Sequence, residues 1–347
     1  MPEVNPRPFV SIIIPTYNGG SFLVETLRSC LKIRECEVEI IVVDDASTDG
    51  TPERIAEQFP SIRLHRFTAN SGSGSAGRNA GLDLARGRYV KFLDHDDLIQ
   101  PRGFKAECSE ARRTNADIVM SRWGVVSIGE RGVFQKETMK LLVPPDPDRL
   151  TEAILNGESM PYTAAALYKR SFVGDHRWDA SVSVIDDYDW FCRLALMGAK
   201  IAKSDAIAYF WRLHPGSIQG RSDRNETLYQ KFTFARYRVY QKIEKELMNL
   251  GQLTQPRRRL LARRYYDCLR CHSPHEGELL AHIQRLDPEF MVDASCEPNP
   301  RALWLVQRIG LPSFWALYGL SRRMIRFKRF PRSSIKGWIR HATSPRE

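Results

Sequence analysis

A run of apolar residues that suits a buried β-strand ends abruptly in a cluster of carboxylates. Residues 88–97 read Arg-Tyr-Val-Lys-Phe-Leu-Asp-His-Asp-Asp, so Asp94, Asp96 and Asp97 directly follow the apolar stretch. Open α/β sheets bind ligands at the carboxyl ends of their strands, so these side chains are candidates for a ligand site. In an extended backbone Asp94 and Asp96 point the same way and could hold a hard divalent cation, which commonly accompanies a phosphate. The alternative is a solvated acidic turn ahead of Pro101.

Two other acidic clusters have a similar setting. Asp44 and Asp45 close a second apolar run, and residues 186–189 read Asp-Asp-Tyr-Asp. Three such clusters on one side of a single sheet would repel one another, and a bound cation or a hydrogen-bonding ligand would relieve that repulsion. The pattern therefore indicates a functional site that draws on three separate segments of the chain.

Alternating strands and helices are predicted to position these clusters. Apolar runs predict strands and 3.6-residue periodicity predicts helices between them, with Ser21 and Thr51 near the helix starts as N-caps. The first four predicted strands are residues 10–14, 39–45, 62–67 and 88–93. Further along the chain, helices are predicted at 104–115 and 190–197 and strands at 117–123, 162–168 and 201–211. We expect an α/β fold with a doubly wound, mostly parallel mixed sheet flanked by helices.

Charge is distributed unevenly along a chain of otherwise ordinary globular composition. The chain has 347 residues, 42% of them hydrophobic and 27% charged, which leaves room for a large domain and a smaller one. Residues 1–220 contain 27 Lys and Arg against 29 Asp and Glu, whereas residues 221–347 contain 25 against 12. We therefore predict a boundary near Arg221 and a basic, helical C-terminal region. Such a region favours a polyanionic partner, either an anionic membrane surface or nucleic acid.

Residues 311–330 within the basic region have the pattern of an amphipathic helix. Phe314, Leu317 and Leu320 share one face, and the stretch from Arg322 to Arg340 contains eight basic residues and no acidic one. This pattern is typical of a helix that lies on an anionic membrane. The alternative is a helix packed on the N-terminal domain with its basic face in solvent.

The expected location is the cytoplasm, with peripheral association at the inner face of the plasma membrane. No secretory signal is recognisable, and no segment reaches the roughly 20 apolar residues that span a bilayer. The seven cysteines are scattered without framework spacing. We therefore expect reduced thiols.

Six motifs follow one another along the chain. They are Val10-Ser-Ile-Ile-Ile-Pro-Thr-Tyr-Asn18, Ile41-Val-Val-Asp-Asp-Ala-Ser47, Ala76-Gly-Arg-Asn-Ala-Gly81, Phe92-Leu-Asp-His-Asp-Asp97, Asp186-Asp-Tyr-Asp-Trp190 and Arg212-Leu-His-Pro-Gly-Ser217. Taken together and in this order, they resemble the family 2 glycosyltransferases of the GT-A fold, over about residues 8–220. The resemblance implies a GT-A catalytic domain over residues 1–220 and an inverting, metal-dependent hexosyltransferase. The donor would be a nucleotide sugar, most simply a UDP-sugar. The acceptor would be a hydroxyl of a glycan or lipid-linked intermediate in bacterial surface-polysaccharide biosynthesis.

The resemblance also implies roles for individual residues at the nucleotide. Tyr17 would stack on the base, Asp45 would accept a hydrogen bond from the base, and Arg78 would lie close to the nucleotide. A carboxylate can recognise an imide N–H, and stacking of an aromatic side chain on a base contributes about 1–3 kcal/mol. The complete set implied to bind the nucleotide sugar is Pro15, Thr16, Tyr17, Asn18, Asp44, Asp45, Arg78 and Asp94.

The remaining implied roles concern the metal ion and the base. Asp94 and Asp96 would hold Mg²⁺ or Mn²⁺ against the diphosphate, and His214 would complete that site. Asp187 would be the general base that takes the proton of the acceptor hydroxyl. The family usually has glutamate where this chain has Asp186. The choice of base between Asp186 and Asp187 therefore stays open at this point.

Other patterns in the sequence compete with this interpretation. Residues 72–77 match the G-x-G-x-x-G spacing of dinucleotide sites, but they follow the third predicted strand instead of the first. Residues 268–272 match the C-x-x-C-H spacing of haem attachment, which requires export, so cysteines on a packed helix are preferred. A nucleotidyltransferase with the same metal site, or a non-enzymatic nucleic-acid-binding protein, is the alternative function. A nucleic-acid partner is not expected.

Overall fold

The chain forms two compact units. The computed structural model describes residues 7–128, 140–158, 163–182, 184–214, 216–217, 226–270, 276–290 and 308. The first unit comprises Met1–Ala153 and Ser159–Arg221, and the second comprises Ile154–Glu158 and Ser222–Glu347. The assignment of catalysis to residues 1–220 and of a membrane role to residues 221–347 stays a prediction.

A nine-stranded sheet organises the described part of the first unit. Its strands are β1 (Val10–Thr16), β2 (Val38–Asp44), β3 (Arg63–Arg66), β4 (Tyr89–Phe92), β5 (Leu98–Ile99), β6 (Ile118–Ser127), β7 (Lys140–Leu142), β8 (Ala166–Lys169) and β9 (Ile201–Leu213). Their order is β3-β2-β1-β4-β8-β6-β9-β5, with β7 paired to β6. The strands β3, β2, β1 and β4 are parallel, whereas β8 is antiparallel to both β4 and β6. The prediction of a mixed α/β sheet flanked by helices is confirmed.

Seven α-helices lie between the described strands along the chain. They are α1 (Gly20–Cys30), α2 (Thr51–Gln58), α3 (Gly74–Leu84), α4 (Pro101–Thr114), α5 (Leu150–Asn156), α6 (Arg170–Val173) and α7 (Asp186–Leu196). The order of strands and helices in the first hundred residues agrees with the alternation read from the sequence. The apolar periodicity explains this, since one face of each helix must be buried against the sheet.

Close packing of helices on the sheet depends on two glycines. A Cβ atom at Gly81 in α3 would collide with the side chain of Ile13 in β1, and one at Gly103 in α4 would collide with the carbonyl oxygen of Ile207 in β9. The missing side chains allow the helix backbone to approach the strand closely. The core itself is apolar, and β1 contributes Val10, Ile12 and Ile14, all completely buried.

Several predicted boundaries differ from the observed ones. Ser21 is not an N-cap, because α1 already begins at Gly20 and Gly19 precedes it. Thr51 is the first residue of α2, and Gly50 is the residue that caps it, in a left-handed conformation. The predicted loop up to residue 149 contains the short strand β7. Helix α7 starts four residues earlier than predicted, since its polar first turn carries no apolar periodicity.

Three helices form the described part of the second unit: α8 (Glu226–Asn249), α9 (Gln255–Arg270) and α10 (Glu276–Leu286). Helix α9 packs against both others. Glu244 accepts hydrogen bonds from Tyr265 Oη and His282 Nε2, each at 2.7 Å. Cys268 is buried on α9, as expected for a cysteine of a packed helix, while Cys271 and His272 lie outside the described residues.

The membrane-related predictions concern residues that the structure does not describe. The amphipathic pattern at 311–330 lies entirely outside the described ranges. Within those ranges, no helix combines the length and the apolar character that crossing a bilayer requires.

Candidate active site

Three acidic or polar loops leave the same edge of the sheet. Strand β1 lies between β2 and β4 and is parallel to both, with Thr16 paired in register with Asp44. Neighbouring parallel strands present their carboxyl ends at one edge. The structure therefore brings the loops that begin at Thr16, Asp44 and Leu93 to a common edge.

Asp45 is a buried carboxylate that is held by the loop ahead of α3. It accepts hydrogen bonds from Ser71 N at 2.7 Å and from Ser71 Oγ at 3.0 Å. Asn70 Nδ2 donates to the Asp45 carbonyl oxygen at 3.0 Å. These three bonds fix the orientation of the carboxylate that was predicted to meet the base of the nucleotide.

Asn18 ties the loop after β1 to the loop after β2. Its φ of 51° is left-handed, a conformation that asparagine tolerates better than most residues. Its N–H donates to Ser47 Oγ at 2.8 Å, and its Oδ1 accepts from Thr48 N at 2.9 Å. The adjacent Tyr17 is 47% exposed, so its ring is available to stack on a planar ligand.

Two buried oxygen atoms at this edge have no hydrogen-bond partner among the described residues: Thr16 Oγ1 and Asp44 Oδ1. The other carboxylate oxygen of Asp44 accepts from Ser47 N at 3.1 Å and lies 3.4 Å from Arg66 Nε. A buried polar atom without a partner is destabilising unless water or a ligand satisfies it. A polar ligand bound at this edge could supply the missing hydrogen bonds.

Pro15 lies beneath α3, where a Cβ at Gly77 would come within 3.0 Å of the Pro15 Cβ.

Arg78 joins two of the acidic clusters. Its Nη2 donates to Asp94 Oδ1 at 2.6 Å, and its Nη1 donates to Asp186 Oδ2 at 2.8 Å. The guanidinium group also lies over the Trp178 ring, 4.6 Å from the centroid. Because Arg78 is only 6% exposed, solvent screens these ion pairs weakly. Arg78 thus connects the residues after β4 to the first turn of α7.

The two adjacent carboxylates at the start of α7 have different surroundings. Asp186 Oδ2 accepts from Ser75 Oγ at 2.8 Å in addition to Arg78. Asp187 Oδ1 accepts from Tyr188 N at 2.8 Å. Burial and the neighbouring Asp186 charge raise the pKa of Asp187 to about 7, against the opposing effects of the Tyr188 N–H and Arg78. Asp187 is therefore the carboxylate suited to exchanging a proton near neutral pH.

The backbone at the start of α7 is strained. Ile185 has φ 56° and ψ 25°, a left-handed conformation that is rare for a β-branched residue. Strain of this kind persists only where the surrounding structure imposes it, and it concentrates at functional sites. The strained residue immediately precedes the carboxylate pair and sets the direction in which the helix begins.

The carboxylates after β4 form a turn. Asp97 N donates to Asp94 O at 3.1 Å, which closes the turn. The expectation that Asp94 and Asp96 point the same way in an extended backbone is therefore wrong. Their side chains meet different partners: Asp94 contacts Arg78, whereas Asp96 Oδ2 lies 3.0 Å from His214 Nε2.

Asp96 and Asp97 differ in their ionisation although they are adjacent. Burial opposes the ionised form of Asp96, but the hydrogen bond with His214 and the charges of nearby histidines lower its pKa. Burial and the neighbouring carboxylates raise the pKa of Asp97, which accepts a hydrogen bond from Arg212 N at 3.0 Å. Asp96 is thus the better ligand for a cation, and Asp97 is a structural part of the turn.

Arg212, a fully buried residue of β9, fastens this turn to α1. Its guanidinium group donates hydrogen bonds to four partners: the Asp96 and Phe22 carbonyl oxygens, the Glu25 carboxylate and Thr26 Oγ1. It also lies 4.9 Å from the centroid of the Phe22 ring. Phe22 in turn stacks on the His214 ring, with centroids 4.4 Å apart. The buried Arg212 guanidinium therefore contacts Asp96 directly and the Phe22 ring that stacks on His214.

The predicted site residues fall into three groups of contacts. Arg78 contacts both Asp94 and Asp186, Asp96 contacts His214, and Asp45 contacts the 70–71 segment. Ser71 donates to Asp45, and Ser75 donates to Asp186. The Gly-rich segment between the two serines therefore connects the Asp45 contacts to the Arg78 contacts. Asp187 follows Asp186 directly in the sequence.

Sequence reasoning missed Ser71, Ser75, Thr26 and the role of Arg212. The serines carry no signal of their own, since serine is common in loops. Arg212 does carry one: it is a charged residue inside an otherwise apolar strand, residues 206–213, and such a residue needs a buried partner.

Comparison with known proteins identifies the relatives of this chain. Residues 11–177 match the family model described as Glycosyl transferase family 2. The Succinoglycan biosynthesis protein ExoO of Rhizobium meliloti (strain 1021) is 28% identical over 224 residues, which cover 62% of this chain and 64% of ExoO. The Poly(ribitol-phosphate) beta-N-acetylglucosaminyltransferase TarP of Staphylococcus aureus (strain N315) is 32% identical over 134 residues, covering 37% of this chain and 41% of TarP. The chain thus spans less than two thirds of the length of these relatives.

Solved structures share the fold. The crystal structure of S. aureus TarS 1–349 superposes with a TM-score of 0.58 at 19% identity, covering 92% of this chain and 93% of that one. The same protein in complex with UDP-GlcNAc gives a TM-score of 0.53 at 18% identity, with 87% and 92% covered. At these identities the likeness establishes the fold. The ordered motifs, the family match and the shared fold together show that residues 11–177 of this chain form a glycosyl transferase family 2 domain, and that the chain is similar to bacterial surface-polysaccharide glycosyltransferases.

Proposed function

We propose that this chain is an inverting glycosyltransferase that moves a sugar from a UDP-sugar to a hydroxyl of a glycan or lipid-linked acceptor in surface-polysaccharide biosynthesis. The observation that carries the proposal is the contact of Arg78 with both Asp94 and Asp186, which gathers two acidic clusters beside Asp187. The names of ExoO and TarP and the UDP-GlcNAc complex of TarS support the choice of donor and process.

The nucleotide would bind at the edge formed by the loops after β1 and β2. The exposed Tyr17 would stack on the base, and Asp45, held in place by Ser71, would accept the imide N–H of uracil. Thr16 and Asp44 supply the polar oxygen atoms that need partners there. We infer that Arg78 acts next to the nucleotide mainly by orienting Asp94 and Asp186.

The residues fit a divalent cation in their chemistry. Asp96 and His214 provide adjacent oxygen and nitrogen donors, and Asp94 is half exposed and within the same turn. The described residues contain no group of three or more such side chains that could hold a metal by themselves. Magnesium-type sites commonly use one or two carboxylates and take further ligands from substrate phosphates. Bound Mg²⁺ or Mn²⁺ would stabilise the negative charge that develops on the departing nucleoside diphosphate.

We propose Asp187, in preference to Asp186, as the general base. Asp186 already accepts hydrogen bonds from Arg78 and Ser75 and so acts as an anchor. Asp187 has a pKa of about 7, so it can be ionised before the reaction and accept a proton during it. It would take the proton of the acceptor hydroxyl while that oxygen attacks the anomeric carbon from the face opposite the diphosphate. The configuration at that carbon is then inverted.

A donor screen tests this function directly. The purified chain is incubated with Mn²⁺, an oligosaccharide acceptor mixture and a panel of UDP- and GDP-sugars, and release of nucleoside diphosphate is measured. We expect one UDP-sugar to be turned over, and Asp187→Asn and Asp96→Asn each to lower the rate by about 100-fold or more. Asp205→Asn is the matched control, because that carboxylate is 79% exposed on β9 and pairs only with Arg122 in the structure.

The same assay separates the alternatives. Normal turnover in both Asp187→Asn and Asp96→Asn would contradict the proposal. A nucleotidyltransferase would instead join a nucleoside triphosphate to a sugar 1-phosphate and release pyrophosphate, so a parallel incubation with those two substrates that yields a nucleotide sugar would indicate that activity. NMR of the product reports the anomeric configuration, and retention would overturn the inverting mechanism.

A further inference from the structure

Two cysteines from distant parts of the chain meet in the core. The sulfur atoms of Cys36 and Cys108 are 3.0 Å apart, although 72 residues separate them in the sequence. Cys36 precedes β2, and Cys108 lies in the middle of α4. They are 9% and 3% exposed. Neither residue belongs to the proposed active site, so their contact calls for a separate explanation.

The local structure permits a covalent bond with a small movement. A disulfide has a sulfur–sulfur distance of about 2.05 Å, so an approach of roughly 1 Å is sufficient. Cys108 is held by a regular helix, but Cys36 lies in the irregular segment between α1 and β2. A segment of this kind adjusts its backbone more easily than a helix or strand does.

The charges around the pair favour reaction at Cys36. The hydrogen bond from Cys108 and the nearby Arg112 guanidinium lower the pKa of Cys36, although burial opposes this. The same hydrogen bond, together with burial, raises the pKa of Cys108. The negative charge of the adjacent Glu107 raises the pKa of Cys108 further, and the buried Lys91, which pairs with Glu107 at 2.7 Å, opposes this.

We propose that Cys36 and Cys108 are a disulfide-forming pair that responds to small-molecule disulfides. The Cys36 thiolate attacks one sulfur of an oxidant such as glutathione disulfide and expels one glutathione thiolate. Cys108 loses its proton to that thiolate and attacks the Cys36 sulfur of the mixed disulfide, which expels the second glutathione thiolate. The two protein thiols lose two electrons and two protons in total, and the oxidant becomes two thiols.

The bond would cross-link the segment ahead of β2 to α4. Helix α4 packs on β9, and β2 pairs with β1, so the link joins two distant parts of the first unit. Because a cross-link of this length restricts the unfolded chain, the oxidised protein should be more stable than the reduced one.

Peptide mapping by mass spectrometry tests the proposal. The full chain is incubated with glutathione disulfide, free thiols are alkylated, and the protein is digested without reduction. We expect a linked peptide pair that contains Cys36 and Cys108, 2 Da lighter than the sum of the two free peptides. We also expect the melting temperature to rise by about 5 °C or more on oxidation and to return on reduction.

Matched variants make each outcome decisive. Cys36→Ala and Cys108→Ala should abolish the linked peptide and the rise in melting temperature, whereas Cys30→Ala, which removes another buried core thiol, should keep both. Alkylation of both residues after oxidation would overturn the proposal. So would a mixed disulfide with glutathione at Cys36 that Cys108 does not displace, or a bond from either residue to a different cysteine.

Discussion

Neighbouring aspartates in this protein acquire different properties from their surroundings. Asp186 binds Arg78 and Ser75, whereas Asp187 is raised in pKa by burial and by the charge of Asp186. Pairs of carboxylates whose environments separate their pKa values commonly divide an anchoring role from a proton-transfer role. The sequence showed that two carboxylates were present. It could not separate their surroundings, because these depend on Ser75 and Arg78, which lie more than 100 residues away from Asp186.

The raised pKa of Asp187 predicts the pH dependence of turnover. A general base must be ionised, so kcat/KM should rise about tenfold per pH unit below neutrality and level off above pH 7, the approximate pKa of this group. The measurement is kcat/KM from pH 5 to 9 at saturating Mn²⁺. A profile that stays flat down to pH 5, as expected for an aspartate with an ordinary pKa near 4, would show that Asp187 is not the base.

Arg78→Gln should shift the acidic limb of the kcat/KM profile towards higher pH. The positive charge of Arg78 lowers the pKa of Asp187, so its removal makes the ionised carboxylate less favourable. Because the change also leaves Asp186 without its main partner, we expect a loss of about 3 kcal/mol in the free energy of unfolding. Comparison of the pH profiles of Arg78→Gln and the wild type is the test, with urea denaturation as the accompanying measurement. An unchanged limb in a folded variant would contradict the prediction.

At the scale of whole elements, apolar runs predicted the sheet well and polar turns poorly. The parallel strands β1, β2 and β4 are almost fully buried, so their sequences are continuous apolar runs that can be recognised without a structure. Beyond the predicted strand 88–93, an extended backbone was expected at Asp94 and Asp96, with an acidic turn as the alternative, and the structure has a turn at 94–97. Its shape depends on Thr26 and Arg212, which lie 71 and 115 residues from Asp97 and leave no local signal.

The buried Arg212 should contribute strongly to stability. Arg212→Met would remove the guanidinium donor from the Asp96 carbonyl group, and an unsatisfied buried acceptor costs about 1–3 kcal/mol. We expect a total loss of about 3 kcal/mol or more in the free energy of unfolding, measured by urea denaturation. Arg113→Met is the control, since that side chain is 72% exposed and should leave the midpoint unchanged. Equal midpoints for the two variants would contradict the role assigned to Arg212.

The close approach of α4 to β9 predicts a further stability difference. Gly103→Ala places a methyl group against the Ile207 carbonyl oxygen, and overpacking of this kind costs about 1–3 kcal/mol. Gly277→Ala in α10 meets no atom within 4 Å, so it should be neutral or slightly stabilising. The test is to measure the melting temperatures of both variants. Equal melting temperatures would mean that the α4–β9 contact is looser than described.

For the whole molecule, charge asymmetry is the property that the sequence revealed most clearly. Residues 221–347 carry 25 basic against 12 acidic residues, while the rest of the chain is nearly balanced. Net charge is a property of composition and needs no structure to be read. What the charge binds does depend on structure, and the amphipathic pattern at 311–330 lies outside the described residues.

Liposome flotation tests the proposed membrane role of residues 311–347. The full chain should float with vesicles that contain an anionic lipid at low salt, and flotation should decline as salt screens the charge. A chain that ends at residue 310 should remain at the bottom of the gradient. Neutral vesicles are the control for both forms. Equal flotation of the two forms would exclude a contribution from this segment.

The contacts of Arg212 also affect when the protein can become active. The residue lies 187 positions after its partner Glu25, and the family match ends at residue 177. On the ribosome, the first four parallel strands emerge and can pair well before β9 exists. The contacts of Arg212 therefore form late in synthesis, and a fragment trimmed to residues 11–177 would keep the loops after β1, β2 and β4 while lacking Asp187, Arg212 and His214.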